Sequence, residues 1–268
     1  PASVADVEIL SFSVLKTARI PVQSLAGRAA TSVSRRGKFI VLEFDGLFLA
    51  MHLARAGWLR WSDSLSTGRL KPGKGPIALR LRLSGDGAAP GFDLTEAGTR
   101  KSVAVYVIED PGDVPGIERL GPEALDVDLH QFTAMIREHR GQIKGLLRDQ
   151  SFIAGIGNAY SDEILHAARM SPFTVASSLG EQQVAVLHGS LRTVLETAIL
   201  SATGKPAKEL KDSKRRALKV HGRAGEQCPV CGDTVREVSF ADSALQYCPT
   251  CQTGGKLLAD RRTSKFLK

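Results

Sequence analysis

A chain of 268 residues that is 43% apolar and 24% charged can bury a core of its own, which excludes a disordered chain or a scaffold that needs disulfides to fold. No apolar run reaches the roughly 18 residues of a membrane span and no secretory signal is visible, so a soluble, cytoplasmic globular protein is expected. The 36 Lys and Arg against 28 Asp and Glu give a net charge of +8, which suits either a basic enzyme with a solvated surface or a binder of a polyanion.

Distribution favours the polyanion. Basic residues gather at Arg35, Arg36 and Lys38, over Lys205 to Lys219, and over Arg261 to Lys268. In chain order, "VEILSFSVL" (7 to 15), "KFIVLEF" (38 to 44), "LFLAMHL" (47 to 53), "IALRLRLS" (77 to 84) and "SVAVYVIED" (102 to 110) are β-branched and partly alternating. They are separated by "DG", "PGKGP" and "GDGAAPG", which supply turn chemistry. An N-terminal sandwich of antiparallel sheets is predicted.

After residues 110 to 128 the apolar spacing changes to three and four, in "HQFTAMIREHR", "QIKGLLRDQ", "NAYSDEILHAARM" and "GEQQVAVLHGSLRTVLETAILSA". Residues 203 to 227 read as a polar, basic linker. The expected division is a β-sandwich at 1–115, a helical domain at 116–222 and a ribbon with a basic tail at 223–268: an α+β chain with no internal repeat.

Cys228, Cys231, Cys248 and Cys251 are the only cysteines, in a C-x2-C-x16-C-x2-C pattern. Each C-x2-C turn presents two thiolates to one tetrahedral ion, and the residues between can form a hairpin that brings the pairs together. Zinc is the expected ion and its role structural, because four cysteine ligands leave no open position; two disulfides or loose thiols are the alternative. The hairpin tip lies around Ser239 to Leu245.

Ala154 to Asn158, "AGIGN", precedes a helix predicted from about Ala159. Such a turn exposes backbone N–H groups that suit a phosphate; the alternative is a tight helix connection with Asn158 as its cap.

With "RRGKFIVLEF" (35 to 44), "RLGPEAL" (119 to 125) and "VHGRAGEQCPVCG" (220 to 232), in that order, this segment resembles the helix-two-turns-helix motif of the formamidopyrimidine-DNA glycosylase and endonuclease VIII family. The resemblance covers nearly the whole chain. It implies a monomeric, nucleoid-associated base-excision repair enzyme that holds damaged double-stranded DNA between a β-sandwich and a helical domain ending in a zinc finger. The lesion is flipped out, and the secondary amine of an N-terminal proline attacks the sugar C1′ to give a Schiff base and strand cleavage.

By that resemblance Pro1 is the candidate nucleophile, and Lys38, His52, Lys144 and Asn158 are candidate DNA contacts. The alternatives are a solvated strand-end charge for Lys38, a core histidine for His52 and a plain surface lysine for Lys144. Arg223 is either a contact or structural.

The departures are specific. Ala2 stands where the family has glutamate, and the spacing to "RRGK" is short by roughly 20 residues, or five to six helical turns. An N-terminal segment is therefore expected to be missing, with Pro1 an internal residue. Arg55 replaces the methionine that fills the gap left by the flipped base, "DLTEAG" (93 to 98) replaces the arginine and phenylalanine of a wedge loop, and Ser243 replaces the arginine of the zinc-finger tip. Three functions compete: a glycosylase with abasic-site lyase activity, a non-catalytic binder of damaged DNA, and a ribbon module for protein contacts.

Overall fold

The stretch near the N terminus is strand at once, as its β-branched text predicts. In the computed structural model, which describes residues 2–66, 68–73, 75–85, 89–97, 101–240 and 243–259, β1 (Val4–Ile9) pairs antiparallel with β6 (Ile77–Leu83). Pro1, Gly98, Asp242 and Arg261 to Lys268 lie outside the described residues.

Six more strands follow the first: β2 (Ala30–Arg36), β3 (Phe39–Phe44), β4 (Leu47–His52), β5 (Gly57–Ser62), β7 (Gly91–Glu96) and β8 (Ala104–Ile108). They form two four-stranded antiparallel sheets, ordered β1-β6-β7-β5 and β2-β3-β4-β8. Alternate residues from both sheets, among them Val7, Leu79, Leu81 and Leu94 with Phe44, Leu49, Met51 and Val105, fill one core. A short helix, α1 (Pro115–Glu118), packs through Ile117 on the opposite face of the second sheet, at Phe39 and Val41.

The opposite face of the first sheet is charged rather than apolar. Glu8, Arg80, Asp93 and Arg60 fall in one register row across β1, β6, β7 and β5. Arg80 binds Asp93 through two parallel bonds of 2.6 and 2.7 Å in a buried setting, and Arg82 binds Asp6 and Glu8. Bidentate geometry is what makes burial of such a pair tolerable.

This row corrects the reading of "DLTEAG" as standing in place of a wedge loop. Asp93 to Glu96 are the last four residues of β7, buried between β5 and β6. Asp93 is held by Arg80, and the Glu96 carboxylate accepts the N–H groups of Ser102 and Val103.

The second half contains α2 (Leu129–Arg137), α3 (Ile143–Arg148), α4 (Asn158–Ala167), α5 (Glu181–Ala202) and α6 (Ala207–Ala217). Asp128 and Gln131 cap α2 reciprocally. Phe132, Ile136, Ile143, Leu147, Ile164 and Leu187 share its core. α6 lies within the stretch expected to be a linker: its Ala, Lys, Glu and Arg residues are strong helix formers, but only Ala207, Leu210 and Ser213 are half-buried, so no apolar period announces it.

A hairpin of β9 (Arg236–Ser239) and β10 (Ala244–Tyr247), followed by α7 (Pro249–Thr253), completes the described chain. The chain divides into two units, Pro1–Leu120 with Pro206–Lys208, and Gly121–Lys205 with Glu209–Lys268. No described helix is long and apolar enough to cross a membrane.

Candidate functional site

In the four-cysteine cluster the sulfur atoms all lie within 4.8 Å of one another. The Cys228–Cys251 and Cys231–Cys248 sulfurs are 3.9 and 3.3 Å apart, far beyond a disulfide bond of about 2.05 Å. Four thiolates at about 2.3 Å from one tetrahedral zinc ion sit just under 4 Å apart, so the donor set fits that ion. Burial pushes the Cys248 thiol up to about 11, so a metal that binds there displaces a proton. Asp233 braces the cluster by accepting from the N–H and Oγ of Thr250 at the start of α7.

In the turn between α3 and α4, Gln150 donates to the Ile156 carbonyl and accepts from the Gly155 N–H. Gly155 has φ +96°, a conformation that favours glycine. The N-cap of α4 is Gly157, which leaves Asn158 as the first helical residue rather than the cap. The first N–H groups of a helix lack intrahelical acceptors, so this turn presents donors and a positive dipole end.

Asn158 does not project alone. Its Nδ2 donates to the carbonyl of Ala244 at 2.7 Å, beside Ser243 at the ribbon tip. Turn and ribbon are therefore one surface.

Lys144 is not the surface contact that was expected. It is 5% exposed, and its ammonium lies 2.5 Å from Asp162 Oδ1 and 2.9 Å from Ser161 Oγ. Burial pushes its pKa below the usual lysine value, and Asp162 opposes that shift. The other oxygen of Asp162 takes the Nδ1 of His221 at 2.7 Å and the N–H of Gln246. Glu163 accepts three successive N–H groups, from Lys219, Val220 and His221. Lys144 thus holds Asp162 in place, and α4 holds the ribbon. Arg223 is structural: it donates to the carbonyls of Leu218 and Arg216 and pairs with Glu226.

The sandwich carries the other two candidates. Gly37 and Lys38 form the two-residue turn between β2 and β3, with Gly37 at φ +55°. His52, paired with Phe39 across the strands, is half-buried, and its Nδ1 accepts the N–H of Ala54. Burial, and then the Lys38 charge, lower its pKa. The neutral ring with Nδ1 as acceptor carries its proton on Nε2, so His52 offers one N–H donor and no charge.

Sequence reasoning missed Asp162, Glu163, His166 and His221. For Asp162, Glu163 and His166 the signal was the acidic pair and histidine inside "NAYSDEILH", polar residues in a helix whose apolar period was otherwise clear. It also left α6 as charge without shape. Lys211 and Arg215 lie on one exposed stripe of that helix, four residues apart, while the Lys214 ammonium sits 5.0 Å from the centre of the Tyr160 ring on α4.

Three family models match: the formamidopyrimidine-DNA glycosylase N-terminal domain over residues 2–104, the formamidopyrimidine-DNA glycosylase H2TH domain over 120–209, and the zinc finger found in FPG and IleRS over 225–254. A formamidopyrimidine-DNA glycosylase of Pelotomaculum thermopropionicum is 30% identical over 264 residues, covering 93% of this chain and 91% of that protein. An uncharacterized formamidopyrimidine-DNA glycosylase-like protein of Mycobacterium tuberculosis is 54% identical over 154 residues, 58% of this chain and 98% of that protein. The Lactococcus lactis Fpg, solved in complex with DNA containing an abasic site, superposes with a TM-score of 0.78 at 26% identity, covering 94% of this chain and 93% of that one.

Proposed function

Because the chain belongs to the formamidopyrimidine-DNA glycosylase and endonuclease VIII family, we propose that it acts in base excision repair on double-stranded DNA, gripping the backbone at a damaged or abasic nucleotide, removing the base and cleaving the strand. The observation that carries this reading is the turn at Gly155 to Asn158, which opens α4 with free helical donors and is bonded directly to the ribbon. Asn158 and the first turn of α4 are assigned to one phosphate, Lys38 to another, and His52 to a neutral donor contact through Nε2–H. Lys144 acts at second hand, through Asp162. Zinc, held by the four cysteines, supplies the fold of the ribbon and no chemistry.

The nucleophile of this reading is the secondary amine of an N-terminal proline, for which Pro1 is the candidate only where it is the mature N terminus; that amine would add to C1′ of the opened abasic sugar and lose water to form an iminium. Incubating the protein with an abasic duplex and borohydride tests this: the expected result is a covalent adduct, with strand cleavage when borohydride is omitted. A second reading, a binder without catalysis, is favoured by Ser243 at the ribbon tip and by the locking of Asp93 to Glu96 inside β7. Lesion-selective binding without adduct or cleavage would select it, and absence of any DNA binding would overturn both.

On this account α6 neutralises DNA phosphates. Replacing Lys211 and Arg215 together by alanine is expected to lower the slope of log affinity against log salt by about 2, near 0.9 for each phosphate that a side chain ceases to neutralise. Fluorescence anisotropy between 50 and 200 mM salt, roughly the range in which such slopes are read, checks it.

A further inference from the structure

Three residues on one face of α4 meet the ribbon at successive levels. Asn158 bonds Ala244 at the hairpin tip, Asp162 bonds His221 and Gln246 below it, and His166, in the last turn, brings its Nε2 to 3.3 Å from the sulfur of Cys228. The spacing is i, i+4, i+8, a single helical stripe. His166 is 3% exposed and Cys228 is 2% exposed.

We propose that His166 belongs to the zinc centre as an outer-sphere donor, its Nε2–H bonding the Cys228 thiolate and tying the metal to α4. Four thiolates on one zinc ion leave a net charge of about −2; at a buried sulfur such as Cys228, 2% exposed, water cannot offset that charge and a protein donor must. At Cys228 the donor is an imidazole, 3.3 Å from the sulfur.

An N–H bond to a thiolate draws electron density from the sulfur. It weakens the attack of protons, electrophiles and competing metals on that sulfur, so the ion leaves more slowly. Either the neutral Nε2–H tautomer or the imidazolium can make the bond, so the role does not depend on the charge of the ring.

The test uses the full chain. With 113Cd in place of zinc, the Nε2-bound proton of His166 is expected to show a scalar coupling to the metal through the N–H···S bond; a clean His166 resonance without that coupling would overturn the proposal. In parallel, transfer of zinc to a chromophoric chelator is expected to be at least about tenfold faster from His166→Leu than from the unaltered chain. His166→Gln, whose Nε2 donor has a similar reach, is expected to hold zinc nearly as long as the unaltered chain. Equal release from all three would contradict the proposal. The cadmium coupling is read on unaltered protein, so it decides the matter even where His166→Leu does not fold.

Discussion

Replacing Cys248 by serine is expected to unfold the ribbon and abolish tight DNA binding while leaving the sandwich folded. Cys248 is fully buried beside Val220 and Val235 in a small cluster with Cys228 and Cys251. Few apolar side chains lie there, so the metal must supply the stability. Structural zinc contributes on the order of 10–16 kcal/mol in isolated finger peptides. Hydrogen exchange gives the readout: protection at Val238 and Leu245 on β9 and β10 is lost, and protection at Val41 and Leu49 on β3 and β4 persists. A variant that kept its ribbon protected would show that the hairpin folds without the ion. Chelation of zinc from the unaltered chain should reproduce the loss, and adding zinc back should reverse it.

Asp162→Ala is the second change with a large expected effect, a loss of about 3–5 kcal/mol in stability. The substitution leaves the Lys144 ammonium buried with Ser161 as its nearest remaining side-chain partner, and it frees His221 and the Gln246 N–H from their shared acceptor. By contrast, the exposed Arg19–Glu109 pair, with side chains 85% and 65% accessible, should contribute no more than about 1 kcal/mol.

The pH dependence gives a second check on the Asp162 variant. Burial lowers the folded-state pKa of Lys144, and loss of its counter-ion lowers it further. The unfolded chain then binds more protons than the folded one, so stability rises with pH from the lowered folded value up to the unfolded value of about 10.4. Denaturant midpoints measured across that window check the sign. A variant as stable as the unaltered chain, with no added pH dependence, would mean that Lys144 does not depend on Asp162. Pairing Asp162→Ala with Lys144→Met should recover part of the loss, because the uncompensated charge is gone.

The sandwich, the long helices and the cysteine ribbon were legible because each rests on a repeated local pattern: alternation in "KFIVLEF", a three-and-four period in "GEQQVAVLHGSLRTVLETAILSA", and paired C-x2-C turns. What was not legible depended on partners distant in sequence. Lys144 and Asp162 are 18 residues apart and Asn158 and Ala244 are 86 apart, so nothing local distinguishes a buried, paired lysine from a surface one. "DLTEAG" read as a loop because the resemblance matched it to one; Asp93 to Glu96 instead end β7, paired with β5 and β6, and Asp93 is held by Arg80, 13 residues before it. In α6 the charges were visible, but its half-buried side is too narrow to show a period.

On the proposed reading, the α4 turn and the zinc ribbon together form a grip for DNA at a lesion. Its most direct test is competition anisotropy with a duplex carrying one abasic-site analogue against the same undamaged duplex, for the zinc-loaded chain and for Asn158→Ala. The account predicts a preference for the lesion of at least about tenfold, or ~1.4 kcal/mol, that falls toward unity in Asn158→Ala. Equal affinity of the unaltered chain for the two duplexes, or a preference untouched by Asn158→Ala, would contradict it.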